Sequence, residues 1–439
     1  MVSYLFYFGR ERKTLMTTSM KAVQEEIEKR QDDLLELLAK LVHFRTESPP
    51  ARNSAEAQNF VAQFLHRLHF KTDSWALYPG DTVLVGSKKG TAPDVCHSLI
   101  VNGHIDVATV GDTAEWKTPP FDLSAHDGFA YGRGTSDMKG ALAGSLFALQ
   151  MINEMKIPLQ GNLLFQSAIG EESGEAGTRS MMEKGYRADF AIVNDTTDCQ
   201  VQGQGGVITG WISVKSPDVF HDGVRSKLIH AGGGIKGASA IEKMIPIIQG
   251  LQELERYWAV TKSYPGFTPG IDTINPAVIE GGRHPAFIAD ECHLWITVHF
   301  YPNETDESVT KDIEEHILRV AEADPWLRDH PPAFKWGGRS MIEDRDEIFP
   351  SLKIDPKHPA VQLLTHEHEC IFGEAAKITM STSVNDSGWL GKAGIPTVAY
   401  GPGTMEEAHS ANEKISVRQL VRFSQVMAAF MIQWCNSKK

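Results

Sequence analysis

Residues 99–108, LIVNGHIDVA, are the most informative stretch of this 439-residue chain. The run is apolar over most of its length, which is typical of a strand buried on both faces of a parallel sheet. It nevertheless carries His104 and Asp106 two positions apart near its end. Side chains at i and i+2 of a strand share a face, so both groups point into one cavity near the strand end. A satisfied buried pair is the alternative, and for an isolated H-x-D it is the better one.

Short apolar runs alternate with helical patterns around this strand. NLLFQSAIGEE (162–172) and ADFAIVND (188–195) are further apolar runs ending in acids, whereas MKGALAGSLFALQMINEM (138–155) is a helix rich in small residues. VQEEIEKRQDDLLELLAKLVHF (23–44) is predicted as one amphipathic helix. The alternation predicts an α/β fold, a largely parallel mixed sheet with helices on both faces. In such sheets ligands bind at the carboxyl ends of strands.

The pattern changes after QGQGG (202–206). A strand, a helix, two adjacent strands, a second helix and a closing strand follow, and this βαββαβ order predicts an inserted ferredoxin-like α+β domain. After about Phe349 the first pattern returns. The predicted organisation is a catalytic domain in two parts, residues 1–206 and 341–439, interrupted by the insert at residues 207–340.

Composition excludes several classes of protein. The net charge of −13 argues against a nucleic-acid or anionic-membrane partner. The five cysteines are never spaced as C-x-x-C, which predicts buried thiols in a reducing compartment. VSYLFYF near the N-terminus is followed by GRERK rather than by a cleavage site, and no run approaches the roughly 20 apolar residues of a membrane span. A cytoplasmic protein is therefore expected.

Five further titratable residues are expected at the same edge of the sheet. Asp137 lies in GRGTSDMKG before the small-residue helix, and Glu171 and Glu172 end one strand. Asp195 ends the next strand, and His409 lies in GPGTMEEAHSANE. Two histidines with several carboxylates and no thiolate suit divalent transition metals, zinc above all. Two ions roughly 3.5–4 Å apart would share one carboxylate. Without metal, such acids would repel one another and raise some of their pKa values.

These motifs, in this order and spacing, resemble the M20 metallopeptidase and deacylase family, which includes acetylornithine deacetylase and succinyl-diaminopimelate desuccinylase. NGHIDV, GRGTSDMKG, GEE, Asp195 and EEAHSANE carry the resemblance, which covers nearly the whole chain beyond about residue 25, the insert included. It implies that His104 and Asp195 bind one metal, that Glu172 and His409 bind the other, and that Asp137 bridges the two. The implied cofactors are two divalent ions, Zn²⁺ with Co²⁺ as the alternative.

The resemblance also implies roles for residues beside the metals. Asp106 is the carboxylate that orients His104, with plain structural burial as the alternative. Glu171 is the general base, which takes a proton from the attacking water and returns it to the leaving amine. The cis peptide that the family places after the bridging aspartate falls between Asp137 and Met138.

The insert is similar to the family's lid and dimerisation domain. In IHAGGGIKGASAI (229–241), His230 stands seven residues before Gly237 and matches the histidine that, in relatives, reaches a partner subunit's site and helps stabilise the oxyanion. His221 in VFHDG is a competitor, and an exposed loop histidine is the alternative for either. The resemblance therefore implies a homodimer through this domain.

One departure from the family bears on the substrate. Members that bind amino-acid carboxylates have an aspartate and an arginine where this chain has Thr297 and His299, and histidine replaces arginine poorly as a carboxylate reader. Arg283 is nearby but displaced. The candidate substrate-binding residues are thus Arg283 and His299, together with Asn385 and Asp386.

The missing arginine argues for a leaving amine without an α-carboxylate. The lid is rich in side chains that suit a flat heteroaromatic ring, although these could equally belong to a core: His284, Phe287, Trp295 and His299. Within the family, PPARN (49–53), QGQGGVITGWISVKSP (202–217) and HAGGGIKGASAIEKM (230–244) are most similar to the branch that deformylates N-formyl-aminopyrimidines in thiamine salvage.

The expected function is therefore a metal-dependent amide hydrolase that removes a formyl group from a small molecule. The alternatives are an N-acyl amino acid deacylase similar to acetylornithine deacetylase and an M20 carboxypeptidase or dipeptidase, which share the same machinery. A catalytically inactive binding protein on the same fold is a further alternative, and the metal content of the purified protein would discriminate it.

Overall fold

The computed structural model describes residues 20–230, 234–235, 237–381 and 383–439, so the N-terminal VSYLFYF lies outside the described residues. The helices are α1 (20–29), α2 (Gln31–His43), α3 (Ala55–Arg67), α4 (Lys139–Glu154), α5 (Gly177–Glu183), α6 (Ala240–Thr261), α7 (Asp306–Ala323), α8 (Pro359–Phe372), α9 (Ser387–Lys392) and α10 (Val417–Asn436).

The strands, in chain order, are β1 (Lys71–Tyr78), β2 (Asp81–Lys88), β3 (Leu99–His104), β4 (Ser124–His126), β5 (Phe129–Tyr131), β6 (Leu163–Ala168), β7 (Phe190–Val193), β8 (Val201–Gln204), β9 (Gly206–Lys215), β10 (Ile229–His230), β11 (Gly234–Ile235), β12 (Thr273–Gly281), β13 (Glu291–Phe300), β14 (Ala333–Trp336), β15 (Ile348–Phe349), β16 (Ile378–Ser381), β17 (Thr397–Ala399) and β18 (Lys414–Ser416).

The described chain divides into two compact units. The first comprises residues 20–203, Ile354–Ser381 and Asn385–Lys439, and the second comprises Gln204–Lys353 with residues 383–384. The predicted domain boundaries at 206/207 and 340/341 remain predictions beside this division. At the ends of the second unit, the Gln204 amide donates to the Leu352 carbonyl at 3.1 Å and the Leu352 amide donates back at 2.9 Å.

The first unit is built on a mostly parallel sheet. Within the described residues its strand order is β1-β2-β6-β3-β7-β17-β8-β16. The four central strands, β6, β3, β7 and β17, are parallel to their neighbours in this group, whereas β1 and β2 form an antiparallel edge. Every residue of β3 is buried, as its apolar sequence predicts. The predicted α/β class is confirmed.

Small residues let α4 pack closely in the first unit. The helix is buried along nearly its whole length. At Gly144, an added Cβ would lie 2.8 Å from the Phe423 ring of α10, so only glycine allows this approach. The same helix begins just after Asp137, which fixes the start of α4 close to the candidate site.

The helix expected over residues 23–44 is interrupted. Arg30 leaves the helical region with φ −104° and ψ 31°, and α2 begins at the next residue. The Arg30 guanidinium donates to Asp33 at 2.6 Å and also bonds Glu154 of α4. The amphipathic period continues across the break, which is why the sequence pattern did not reveal it.

The second unit has the predicted ferredoxin-like order. Its sheet runs β12-β13-β9-β14, with antiparallel neighbours throughout, and α6 and α7 are the two helices of the βαββαβ sequence. Alternate residues of β13 face the core that these helices cover: Cys292, Leu294, Ile296, Val298 and Phe300. The opposite face of β13 therefore holds the remaining side chains of the strand, including Trp295, Thr297 and His299.

Two sequence expectations about individual residues have definite outcomes. The cysteines are free thiols, and four are buried as predicted, but Cys370 is exposed on α8. The peptide between Asp137 and Met138 is cis, which confirms that prediction. No helix in the described part of the chain combines the length and hydropathy that crossing a bilayer requires.

Candidate active site

Parallel strands deliver the predicted residues to one edge of the sheet. β3 ends at His104, Glu171 and Glu172 follow β6 in a 3₁₀ turn, and Asp195 follows β7. His409 lies in the loop after β17. Because β6, β3, β7 and β17 are parallel, their carboxyl ends meet at the same edge, as the sequence predicted. Asp137 joins them from the segment that precedes α4.

Asp137 lies between the two histidines. Its Oδ1 is 3.2 Å from His104 Nε2, and its Oδ2 is 3.3 Å from His409 Nε2. His409 Nε2 is also 2.8 Å from Glu172 Oε2. Potential ligand atoms of His104, Asp137 and Glu172 all lie within 4.8 Å of one another. One oxygen of Asp137 thus faces each histidine, which is the arrangement that a bridging carboxylate needs.

Glu171 and Asp195 complete the cluster. Glu171 Oε2 lies 3.9 Å from His104 Nε2. Burial raises the pKa of Glu171 well above its usual range, with His104 opposing the shift and Asp195 adding to it. Burial, together with the charge of Asp137, raises the pKa of Asp195 to about 6. Both carboxyl groups are therefore destabilised as anions unless a cation is near.

Burial and neighbouring charges also set the pKa values of the other residues in the cluster. Burial and the charge of Asp137 raise the pKa of Glu172 to about 7. Hydrogen bonds to Asp137 and Glu172 raise the pKa of His409 to about 10. Burial works to lower the pKa of His104, but hydrogen bonds to Asp106 and Asp137 raise it well above its usual range. Burial likewise opposes ionisation of Asp137, yet the two histidines hold its pKa below the usual range.

The donor chemistry fits divalent cations. Buried carboxylates that raise one another's pKa values gain stability from a shared positive charge. Imidazole nitrogens and carboxylate oxygens, with no thiolate among them, are ligands that zinc and similar ions accept. The cluster can hold metal, and the assignment of each residue to one of two ions remains a prediction.

Asp106 contacts both His104 and the turn of Glu172. His104 Nδ1 lies 3.0 Å from the backbone carbonyl of Asp106 and 3.5 Å from its Oδ1. The carboxylate Oδ2 also accepts a hydrogen bond from the Glu172 amide at 3.1 Å. The nearer partner of the imidazole is thus the carbonyl, and the carboxylate also fastens the Glu172 turn.

Sequence reasoning missed a buried ion pair that connects two of the loops. The Glu413 carboxylate accepts hydrogen bonds from the backbone amides of Gly134, Ser136 and Asp137 at 2.7–2.9 Å. Arg133 donates to Glu413 at 2.6 Å, and its other nitrogen donates to the His409 carbonyl at 3.2 Å. Burial raises the pKa of Glu413, and Arg133 opposes the shift. Both residues stand in the motifs GRGTSDMKG and EEAHSANE, which were the available signal.

Two of the substrate candidates face inward in the first unit. Asp386 is buried and accepts a hydrogen bond from Thr178 Oγ1 at 2.7 Å. Burial raises its pKa to about 7. Asn385 Oδ1 accepts a hydrogen bond from the Ser387 amide at 2.9 Å, at the start of α9. Their contacts are those of residues that shape the loop, and substrate contact remains a prediction.

The other candidates lie in the second unit. Arg283 is exposed and paired with Asp290. His299 is on the non-core face of β13, and burial lowers its pKa. His230 lies in β10, but its side chain is outside what the structure describes. Its competitor His221 is exposed, with Nδ1 2.9 Å from Asp222 Oδ1.

The aromatic residues that were expected to contact a substrate ring also contact other rings of the protein. Trp295 of β13 stacks on Trp211 of β9 with ring centroids 5.4 Å apart. The Arg345 guanidinium lies 4.8 Å from the Trp211 ring and 5.3 Å from the Trp295 ring. Phe287 contacts the rings of His221 and His284 edge-on, with centroids 6.3 and 6.2 Å away.

Comparisons with known sequences match this chain to a protein family and to similar proteins. The profile described as "Peptidase family M20/M25/M40" matches residues 100–433. The chain is 56% identical over 413 residues to N-formyl-4-amino-5-aminomethyl-2-methylpyrimidine deformylase of Halalkalibacterium halodurans, covering 94% of this chain and 97% of that protein. It is 54% identical over 424 residues to the Bacillus subtilis protein of the same name, covering 97% and 100%.

Solved structures with the same fold have much lower sequence identity. An M20 family metallo-carboxypeptidase from Sulfolobus solfataricus is 17% identical with a TM-score of 0.66, over 92% of this chain and 99% of that one. A dinuclear metal-binding M20 peptidase from Bacillus subtilis is 16% identical with a TM-score of 0.64, over 92% and 98%. These two similarities support the fold.

Proposed function

Because the chain belongs to peptidase family M20/M25/M40, we propose that its metal-dependent hydrolysis of an amide bond removes the formyl group from an N-formyl-aminopyrimidine, in thiamine salvage. The observation that carries the proposal is the identity of 56% and 54%, over nearly the full length, to two proteins named as deformylases of N-formyl-4-amino-5-aminomethyl-2-methylpyrimidine. The residues at the candidate site agree with this chemistry.

The substrate proposal also draws on the charges of the second unit. An aminomethylpyrimidine leaving group has no carboxylate and needs no arginine to bind one. Arg283, the displaced arginine, is already paired with Asp290. His299 stands on β13 where carboxylate-binding relatives have arginine, and burial lowers its pKa, so it is a poor anion site at neutral pH. This supports an uncharged ring over an acylated amino acid.

The metal ligands proposed are those of the cluster. His104 and Asp195 would hold one ion and Glu172 and His409 the other, with Asp137 between them. Zn²⁺ is the proposed ion and Co²⁺ the alternative. When bound, such ions polarise the amide carbonyl and lower the pKa of water. The cluster's raised pKa values support cation binding at this edge of the sheet.

Glu171 is proposed as the general base. Its carboxylate accepts a proton from the attacking water and gives it to the nitrogen of the leaving amine. Burial raises its pKa above the usual range, which strengthens it as a proton acceptor. The backbone carbonyl of Asp106 holds the His104 ring in one orientation, while the Asp106 carboxylate fixes the turn that carries Glu171 and Glu172.

We also propose a cytoplasmic homodimer formed through the second unit, with His230 contributing to oxyanion stabilisation. Apolar side chains on that unit support self-association. Ile241 and Ile245 on α6 are 42% and 52% exposed, and Ile279 on β12, the outermost strand of its sheet, is 53% exposed. Exposed apolar groups beside an edge strand are typical of an interface.

The test is a comparison of kcat/KM for four substrates on the metal-loaded enzyme. These are N-formyl-4-amino-5-aminomethyl-2-methylpyrimidine, N-acetylornithine, N-succinyl-diaminopimelate and a dipeptide. We expect the formyl compound to be favoured by at least tenfold over each of the others, which is about 1.4 kcal/mol of transition-state preference. A tenfold preference for an acylated amino acid would overturn the deformylase proposal in favour of a deacylase, and a preference for the dipeptide would favour a peptidase.

A further inference from the structure

The turn that carries Glu171 and Glu172 is closed tightly on itself. The Glu175 amide donates to the Gly170 carbonyl at 2.7 Å, and the Gly174 amide donates to the Glu171 carbonyl at 3.1 Å. Gly170 has φ +73°, and a Cβ added there would lie 2.4 Å from the Glu175 Cβ. The Glu175 side chain therefore packs directly against the start of the turn, and its position and that of the turn depend on each other.

Glu175 is held by Arg52, which lies in the PPARN segment. The guanidinium makes two parallel bonds to this carboxylate, Nη1 to Oε2 and Nη2 to Oε1, both 2.8 Å long. The Glu175 side chain is fully buried, whereas that of Arg52 is 22% exposed. Bidentate arginine–carboxylate pairs have a fixed relative geometry that lysine cannot reproduce. The pair thus holds the Glu175 carboxylate in one orientation and balances its negative charge.

Arg52 is itself anchored at its backbone and its side chain. The Arg52 amide and Nη1 donate to Asp81 Oδ2 at 2.8 and 3.0 Å. Its guanidinium lies 4.2 Å from the centre of the Tyr78 ring. Asp81 is buried at the start of β2, and Gly80 before it approaches the Arg52 carbonyl so closely that an added Cβ would lie 2.4 Å away. Arg52 thus connects the start of β2 to the turn that carries Glu171 and Glu172.

A second contact joins the same two segments. Ser48 Oγ and Ser173 Oγ are 2.6 Å apart, and both residues are buried. The Ser48 amide donates to the Val107 carbonyl at 2.8 Å, just beyond Asp106. The segment 48–52 therefore contacts the turn 170–175 at two points and also contacts the strand end that carries His104.

From these contacts we infer that Arg52 is a positioning residue for the reaction, which sets the placement of Glu171 and Glu172 through its bidentate pair with Glu175. The inference rests on the proposed function, since it assumes that Glu171 is the base and Glu172 a ligand. Arg52 acts through Glu175, by restricting the turn. A misplacement of about 1 Å in a catalytic group costs up to about a hundredfold in rate.

The test compares Arg52→Lys, which keeps the charge but loses the paired geometry, with the wild type. In enzyme whose metal content has been restored to the wild-type level, we expect kcat to fall about ten- to hundredfold while KM stays within about twofold. Hydrogen exchange of the amides in residues 170–175 should become faster, while that of residues 133–137 stays the same. In Arg52→Ala, added guanidinium ion should restore part of the lost rate and protection.

The matched control is Arg45→Ala. Arg45 is exposed and stacks on Phe121 at 5.2 Å, so its removal should leave rate and exchange unchanged. A folded, metal-loaded Arg52→Lys enzyme with wild-type kcat and wild-type exchange at 170–175 would overturn the inference. Equal acceleration of exchange at 133–137 would also overturn it, since that indicates general destabilisation. If the wild type does not hydrolyse the formyl substrate, the proposed function fails, and the exchange measurement still decides the role of Arg52.

Discussion

Two buried carboxylates of the first unit and one of the second differ in how their charge is compensated. In the first unit, Glu413 and Glu175 are each paired with an arginine, and Glu413 also accepts three backbone amides. In the second unit, Asp272 is 1% exposed and its cation is more distant, with Lys262 Nζ 3.9 Å from Oδ2, and neither oxygen accepts a hydrogen bond from the described residues. Burial, with Glu304 beside it, raises the pKa of Asp272 to about 9.

The difference shows what a buried acid needs if it is to organise a site. A carboxylate compensated by arginine and amides can stay charged and hold a loop in one place. A carboxylate that is compensated only weakly takes up a proton instead of staying charged. Compensated buried charge near the cluster therefore supports function, whereas ionisation of Asp272 would reduce stability.

Glu171 provides the first test of this comparison. Its side chain is 12% exposed, no arginine among the described residues contacts it, and desolvation raises its pKa. Glu171→Gln should lower kcat roughly a thousandfold, because an amide cannot accept the proton of the attacking water. Steady-state kinetics together with elemental analysis of bound metal provide the measurement. Retention of more than a few per cent of the wild-type rate would remove the base role, and loss of metal would indicate a ligand instead.

Glu413 tests the paired acids. Glu413→Gln leaves Arg133 buried without its counter-charge and weakens three amide contacts in the Asp137 loop. Breaking one partner of a buried pair costs about 3–5 kcal/mol, so denaturant unfolding should show a loss of that order and metal should bind more weakly. Glu407→Gln is the control, because Glu407 makes only a half-exposed contact with Lys414 at 3.5 Å and should cost less than about 1 kcal/mol. Equal losses in both variants would contradict the comparison.

Asp272 tests the weakly compensated acid, with the smallest expected effect. Its folded-state pKa is raised to about 9 from 3.8, so the folded protein binds the proton more tightly than the unfolded chain. Stability is therefore lost as pH rises from about 4 towards 9. Asp272→Asn should stabilise the protein by about 1–2 kcal/mol at pH 8 and by almost nothing near pH 4.

Unfolding free energies of this variant at several pH values provide the measurement. Asp329→Asn is the control for a change of aspartate to asparagine in the same unit, because Asp329 is exposed and its substitution should change stability by less than about 0.5 kcal/mol. A gain for Asp272→Asn that does not grow with pH would show that the aspartate is already compensated in the folded protein.

Strand-terminal positions could be predicted from the sequence because they follow from local pattern. Apolar runs identify buried strands, and a parallel sheet then places the residues after them at one edge. That reasoning located His104, Glu172 and Asp195 without any contact information, and the family and fold that it suggested are confirmed. The antiparallel edge β1–β2 was passed over, although Pro79-Gly80 between the strands is a turn signal.

Long-range pairs could not be predicted in the same way. Arg133 and Glu413 are 280 positions apart, and no periodicity connects them. The contact between Arg52 and Glu175 also depends on tertiary packing, as does the choice of the Asp106 carbonyl as the nearer partner of His104. Sequence motifs identify residues that carry chemistry, and the side chains that hold them in place become visible only when the chain is folded.

The antiparallel bridge between Gln204 and Leu352 has a consequence for how such a chain could have evolved. Since Gln204 and Leu352 are hydrogen-bonded to each other, the segment Gln204–Lys353, which makes up most of the second unit, leaves and returns at neighbouring points. When the two ends of an inserted segment are neighbours, closing the segment adds only a small entropic cost to the folding of the first unit. The internal structure of the inserted segment offsets that cost. A new module could thus be acquired, enlarged or exchanged at this point with little penalty to the ancestral sheet. Diversification of substrate choice and stability of the host would then be separable in evolution.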